Sequence, residues 1–311
     1  MKPLFSHVDE SRGRVRADAV GPELPYLVTL RRHHKGSSVR RVCFGEDGVL
    51  FSAAKTLKLY DLDAGKTVRK ISLDASSEAR VYSMCVVDRY LVALGDDEGT
   101  FWLCDYRCSR APTAKLKEFD DYISDLDVQS DKRLVLASSG EGTIAAFNVR
   151  AKRLEPPQSE VFEAGFNCIR CLESRSKVLA AGDDGVVSIF NQGSLGNISD
   201  RFPVHRSLSI ERMQLLGDSR VALGCNDGTT RVMRVLPNKI EETVFTHETP
   251  IESVSVQCCT KTLASLDSSV LKVAHFEERE QQDDCHSSED SDEEKEKEKP
   301  EKAKDSFFGD L

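Results

Sequence analysis

Long apolar runs are missing from this sequence. No stretch approaches the ~20 residues that a bilayer-spanning helix needs, and Met1–Val20 is charged, without the apolar segment of a secretory leader. Also lacking are a Gly-x-Ser-x-Gly elbow, a His-Glu-x-x-His pair and a phosphate-cradling glycine loop ending in Lys-Ser/Thr. Hydrolytic, zinc-protease and nucleotide chemistry therefore have no motif to rest on, and no residue stands out as catalytic. Ten cysteines are present, but their spacing is not that of a disulfide scaffold. Cys85, Cys168, Cys171 and Cys258 fall inside apolar strand patterns, where a free thiol packs as a small hydrophobe. Cys168-x-x-Cys171 has no second Cys or His pair to complete a zinc site, and residues three apart on a strand face opposite ways. These absences predict an intracellular, reduced, non-enzymatic protein with no cofactor, no metal, no membrane and no small-molecule substrate.

What the sequence does have is a repeat. The stretch Leu91–Asp105, LVALGDDEGTFWLCD, returns as LVLASSGEGTIAAFN from Leu134, VLAAGDDGVVSIFN from Val178 and VALGCNDGTTRVMR from Val221. The turn glycines Gly99, Gly142, Gly185 and Gly228 are spaced by 43 residues each time. Each apolar run is long enough for a strand and too short for a stable helix. The acidic Gly pairs supply the positive-φ turn of an antiparallel hairpin. A period of about 40–45 residues built this way predicts an all-β ring of propeller blades, which bury one another's faces by stacking.

Six repeats are recognisable, the first from Val39 and the last from Ile251. The sixth lacks a fourth strand, because the chain after Phe276 turns too polar to pack. Tyr26–Leu30 (YLVTL) reads as a strand with no repeat of its own. Two architectures follow: six blades closed by that N-terminal strand, or seven with an incomplete first blade. The expected organisation is a polar segment over 1–25, which holds at most part of a first blade, a propeller over 26–276 and a disordered acidic tail over 277–311. Fifteen acidic residues against six basic ones in that tail account for the whole formal charge of −9, so the body is neutral.

The third strand of the repeats ends in Tyr60-Asp61, Cys104-Asp105, Phe147-Asn148 and Phe190-Asn191, with Met233-Arg234 and Ala274-His275 in the equivalent later places. In register with the glycine turns, these resemble eroded Trp-Asp dipeptides of WD40 repeats. Trp102, the only tryptophan, is not at the dipeptide position. A narrower resemblance is carried by His33-His34, Gly95-Asp96-Asp97, Leu103-Cys104-Asp105-Tyr106-Arg107, Tyr122-Ile123-Ser124-Asp125, Ser199-Asp200-Arg201-Phe202, Leu236-Pro237-Asn238 and the closing Asp305–Leu311. These stretches are similar to the WD repeat-containing protein 55 family. The resemblance runs in order over roughly Arg31–Phe276 and departs in the incomplete first blade and the lost Trp-Asp pair of the last unit. It implies a non-enzymatic scaffold of the nucleus and nucleolus, acting in ribosomal RNA production and large-subunit assembly with pre-ribosomal assembly factors or basic ribosomal proteins as partners. Some relatives also look like substrate receptors of a cullin-based ubiquitin ligase, reached through an adaptor by Trp-Asp-x-Arg motifs. Cys104-Asp105-Tyr106-Arg107 and Phe147-Asn148-Val149-Arg150 approximate that motif without its tryptophan.

Candidate sites follow. The glycine turns would place Asp96, Asp97, Glu98, Glu141, Asp183, Asp184 and Asp227 on one rim, as an acidic collar for basic peptides. Turn chemistry alone also explains an aspartate at such places. Arg107 and Arg150 would offer bidentate forks to an adaptor, or lie in solvent while Asp105 and Asn148 cap local turns. Arg31, Arg32, Lys35, Arg40 and Arg41 would contact RNA phosphates or form a solvated basic loop. No aromatics are interleaved there, so any RNA contact is expected to be indirect. Ser287 and Ser291 precede Asp290 and Glu294 by three places and suit an acidophilic kinase. Phe307-Phe308 interrupts the acidic tail as a short docking motif.

Overall fold

In the computed structural model the repeats form a six-bladed β-propeller of antiparallel sheets. The structure describes residues 8–9, 14–15, 33–34, 37–45, 48–73, 79–107, 111–156, 158–205 and 208–276. A short hairpin pairs β1 (Val8–Asp9) with β2 (Arg14–Val15). Blade one is β3 (Arg41–Phe44), β4 (Val49–Ala53), β5 (Thr56–Asp61) and β6 (Lys66–Ser72). Blade two is β7 (Val81–Val86), β8 (Leu91–Asp96), β9 (Thr100–Asp105) and β10 (Ala114–Lys117). Blade three is β11 (Ile123–Val128), β12 (Leu134–Ser139), β13 (Ile144–Asn148) and β14 (Arg153–Glu155). Blade four is β15 (Phe166–Leu172), β16 (Lys177–Gly182), β17 (Val186–Asn191) and β18 (Ser194–Pro203). Blade five is β19 (Ile210–Leu215), β20 (Arg220–Cys225), β21 (Thr229–Arg234) and β22 (Lys239–Thr246). Blade six has three described strands, β23 (Ser253–Gln257), β24 (Thr262–Leu266) and β25 (Leu271–His275). Cys258, expected inside a strand, instead opens a 3-10 turn, Cys258–Thr260. Tyr26–Leu30 and the tail from Glu277, with Ser287, Ser291, Phe307 and Phe308, lie outside the described residues.

The second strand of each middle blade is buried on both faces, and its sequence is accordingly a continuous apolar run rather than an alternation. Its small residues let the next blade come close. A Cβ on Gly95 would sit 2.5 Å from Ile123, and one on Gly224 2.7 Å from Ile251. The core is a series of slabs, each shared by two consecutive blades. Between blades two and three, for example, Phe101 and Phe147 stack with ring centroids 4.2 Å apart. Similar slabs join blades one and two, three and four, four and five, and five and six. Among the described residues no such slab joins blade six to blade one.

The 43-residue glycines have two reasons to be glycine. Gly99, Gly142, Gly185 and Gly228 take φ of 77°, 86°, 66° and 78°. The strap leading to the next blade also crosses directly over each one. The carbonyl oxygens of Phe119, Phe162, His205 and His247 lie within 2.5 Å of where a Cβ would stand. Each glycine carbonyl in turn accepts a hydrogen bond from that strap, as from His247 N at 2.7 Å onto Gly228 O. The inner strands of blades two to five share a further irregularity: a bulge leaves Tyr82, Ser124, Asn167 and Glu211 without a partner on the second strand. Bulges re-aim side chains, and three of these, Tyr82, Asn167 and Glu211, open the candidate functional surface, while Ser124 stays buried against Ser138.

Candidate functional site

Because the strands alternate in direction, the glycine turns and the straps share one rim, and the remaining hairpin turns share the other. On the glycine rim the bulged Tyr82, Asn167 and Glu211, with Tyr122 beside them, form a mouth near the axis. The rings of Tyr82 and Tyr122 meet at 4.6 Å, and the Arg40 guanidinium lies 4.8 Å over Tyr82. Gly140 makes room for this arrangement, since a Cβ there would fall 2.3 Å from the Tyr122 ring. Asn167 Nδ2 donates to Asp183 Oδ1 at 2.8 Å and to Ser209 Oγ at 3.2 Å. Ser209 Oγ lies 3.0 Å from Asp183 Oδ1 and 2.8 Å from Glu211 Oε1. Burial raises the Tyr122 pKa, and Tyr82 and the carboxylates of Asp183, Asp121 and Glu211 raise it further. Aromatic faces beside clustered carboxylates suit a basic side chain, by cation–π contact and charge-assisted hydrogen bonding.

The collar aspartates divide. Asp96 is buried at 1% exposure and points inward. It accepts from Glu98 N at 3.0 Å, Thr100 N at 2.7 Å and Trp102 Nε1 at 2.8 Å, which leaves it nothing for a partner. Asp97 accepts from Arg80 N on the incoming strap at 2.7 Å. Asp184 and Asp227 pair with Arg201 and Arg231, each at 2.9 Å. Asp183 is exposed and joins the mouth. Sequence reading had no means of finding Tyr82, Asn167 or Glu211. Their only signal is position, at the opening of each inner strand. Arg41, in the first repeat that starts at Val39 and also weighed as part of a basic loop, is a strand residue that donates from Nε to Tyr82 O at 3.1 Å and from Nη2 to Ser124 O at 3.5 Å.

On the opposite rim the two Asp/Asn-x-Arg pairs differ. Asp105 Oδ1 accepts from Arg107 N at 3.0 Å and from Arg107 Nε at 3.1 Å, and Asp105 Oδ2 accepts from Nη2 at 2.7 Å. The Arg107 side-chain hydrogen bond holds the Asp105 carboxyl below its ordinary range. Arg107 also stacks 4.4 Å over Tyr90. Asn148 caps its turn, accepting from Arg150 N at 3.0 Å and Ala151 N at 2.8 Å, and the exposed Arg150 side chain has no ion pair among the described residues. Cys168 and Cys171 point into different slabs. Among the described residues no group of three or more His, Cys, Asp or Glu is placed to hold a metal.

Two of the stretches that carry the narrower resemblance meet in space. Asn238 of Leu236-Pro237-Asn238 donates from Nδ2 to Asp200 Oδ2 of Ser199–Phe202 at 2.6 Å, tying blade five to the outer strand of blade four. Among curated proteins, WD repeat-containing protein 55 of Bos taurus is 32% identical over 236 residues, covering 75% of this chain and 60% of that protein. That of Danio rerio is 48% identical over 217 residues, 69% of this chain and 55% of that one. This chain is a WD40-repeat β-propeller related to WD repeat-containing protein 55. The Arabidopsis thaliana WD repeat-containing protein 55 is 28% identical and covers 79% of this chain and 70% of its own length. The match thus spans about 60% of the length of the mammalian relatives. No protein-family model matches the chain. Among solved structures the computationally designed Ika8 protein superposes with a TM-score of 0.63 at 17% identity, over 77% of this chain and 71% of that one, a likeness of fold alone. In this WD repeat-containing protein 55 relative, the candidate partner surfaces are therefore the Tyr82–Tyr122 mouth and the Asp105–Arg107 fork.

Proposed function

We propose that the protein is a non-enzymatic propeller scaffold of ribosome biogenesis, working in the nucleolus on ribosomal RNA production and large-subunit assembly. The observation that carries this reading is the relation to WD repeat-containing protein 55. The mouth supplies the physical means. Tyr82, Tyr122, Asp183 and Glu211 receive lysine or arginine side chains of basic assembly factors or ribosomal proteins, and RNA is reached through those partners. The test is affinity purification of the tagged protein from nuclear extract, with and without ribonuclease, with bound proteins identified by mass spectrometry. Large-subunit assembly factors are expected in both samples from the native protein and are expected to fall away from a Tyr122→Ala plus Asp183→Asn variant. Exclusion of the tagged protein from nuclei would refute the reading.

A second reading, a substrate receptor of a cullin-based ubiquitin ligase, is favoured by one observation. Arg107 is held by Asp105 and Tyr90 with half of its side chain exposed, at 51%. A fork so held loses little entropy on meeting an adaptor carboxylate. Recovery of a cullin and its adaptor, lost on Arg107→Ala, is the result this reading requires.

A further inference from the structure

Charge is sorted between the two rims on blades two and three. The glycine turns of these blades and the strap joining them carry acidic residues and no lysine or arginine. The hairpin turns on the opposite rim carry Arg89, Arg107, Lys132, Arg133, Arg150 and Lys152, all exposed. The two aspartates in those turns are directed onto their own backbone. Asp88 Oδ1 accepts from Tyr90 N at 2.7 Å and Leu91 N at 2.9 Å, and Asp131 Oδ1 accepts from Arg133 N at 2.8 Å.

Hydrogen bonds join these hairpins into one surface. The Tyr106 hydroxyl donates to Arg89 O and links the two hairpins of blade two. Lys152 Nζ donates to Thr113 O at 3.3 Å, from blade three to blade two. Val149 N donates to Arg133 O at 2.9 Å and links the two hairpins of blade three. On blade two the guanidinium groups of Arg107 and Arg89 lie 4.4 Å and 5.4 Å over the Tyr90 ring.

Two of the lysines are held at a backbone cost. Lys132 and Lys152 take φ of 56° and 54°, the left-handed region that disfavours an L side chain. The matching hairpins of blade one put glycine in that conformation, Gly48 at 70° and Gly65 at 64°. The turns themselves favour glycine, and what lysine adds is a charge.

We propose that this rim of blades two and three binds single-stranded nucleic acid. Phosphates meet the lysines and arginines. Bases stack on the Tyr90–Arg107 pair, since an aromatic ring or a guanidinium plane offers a face to any base. An acidic peptide would use the charges and leave that pair without a role. The inference goes beyond the scaffold reading, does not rest on it and uses the rim away from the mouth. It shares Arg107 with the ligase reading, so the readout is binding by the purified protein alone.

The test is fluorescence anisotropy of the purified full chain with labelled polyuridine, with its deoxy counterpart and with oligoglutamate of matched charge. Log Kd is expected to rise linearly with log salt concentration. Tighter binding of the ribose strand would assign the surface to RNA, and equal binding to either strand through phosphates and bases alone. Lys132→Gly plus Lys152→Gly relaxes both turns. This variant is expected to keep or raise the unfolding temperature, to weaken binding several-fold and to reduce the salt slope by about 1.4 for two lost phosphate contacts. Lys261→Gly makes the same relaxation at φ of 47° on blade six and is expected to leave binding unchanged. Arg107→Lys keeps the charge and loses the plane, so it is expected to weaken polyuridine binding and to spare that of inorganic polyphosphate. Where the glycine variant fails to fold, Arg133→Gln plus Arg150→Gln removes two charges outside the strained positions and is expected to give the same loss. Polyuridine binding that is undiminished in these variants, or no tighter than that of oligoglutamate, would overturn the proposal.

Discussion

One register position recurs on the inner strand of every blade and faces the preceding blade: Val42, Met84, Leu126, Ile169, Met213 and Val254. Five of these are at most 6% exposed, and Val42 is 53% exposed. The far face of blade six mirrors this, with Val273 at 43%. The side chains are of one kind, so the difference comes from the neighbour. A blade in a propeller is stabilised by the sheet stacked on it, and its own four strands cannot bury both faces. The interior blades have two neighbours, and the first and last have one among the described residues.

The comparison can be broken by mutation. Phe147→Ala, in the slab between blades two and three, is expected to cost about 3–5 kcal/mol, and Ile169→Ala about 2–5 kcal/mol. Val42→Ala, at the register position of Ile169, is expected to stay within about 0.5 kcal/mol. Urea denaturation of the three variants decides it. A Val42→Ala cost equal to that of Ile169→Ala would mean that the open face of blade one is covered in solution.

The glycine turns sharpen it next. Gly228→Ala forces a Cβ into positive φ and against His247 O, for a cost of about 3 kcal/mol. Gly193 has a similar φ of 76° with nothing within 4 Å, so Gly193→Ala is expected to cost about 1 kcal/mol. The gap between the two, read from unfolding midpoints, measures the crowding by the strap apart from the backbone conformation.

Buried and exposed turn carboxylates should separate in the same way. Asp96→Asn weakens three hydrogen bonds to a buried acceptor and is expected to cost about 2 kcal/mol. Asp227→Asn disturbs a partly exposed pair and is expected to cost at most about 1 kcal/mol.

The smallest effect is a pH dependence on blade one. His34 Nε2 lies 3.0 Å from Ser52 Oγ, and burial, then the Lys58 charge, lower its pKa from 6.5 to about 4. The unfolded chain then takes up this proton at a higher pH than the folded chain. Stability is present in full above the ordinary histidine value and is lost as pH falls from about 6.5 to about 4. His34→Gln is expected to flatten that limb of the stability–pH curve and to leave the curve above pH 7 unchanged.

Much of the fold was legible because its determinants are local. The apolar runs, the acidic Gly turns and their constant spacing marked out the strands, the hairpins and the six units without any knowledge of distant contacts. The rim aspartates were legible as residues and illegible as sites. Asp96 and Asp183 occupy similar acidic turns, yet one is sealed under Trp102 and the other is open beside Asn167. Arg41 was legible as part of the strand that opens the first repeat, but its partners in space, the backbones of blades two and three, were not.

The sequence by itself determined that this chain is an all-β repeat with one turn glycine per middle blade, because a positive φ and an alternation of strand and turn are demands met within a few residues. The tertiary structure alone decided which side chains meet. Tyr82, Tyr122, Asn167 and Glu211 come from four different blades. Bulges and the stacking of sheets about an axis bring such residues together, and neither leaves a mark in any single repeat.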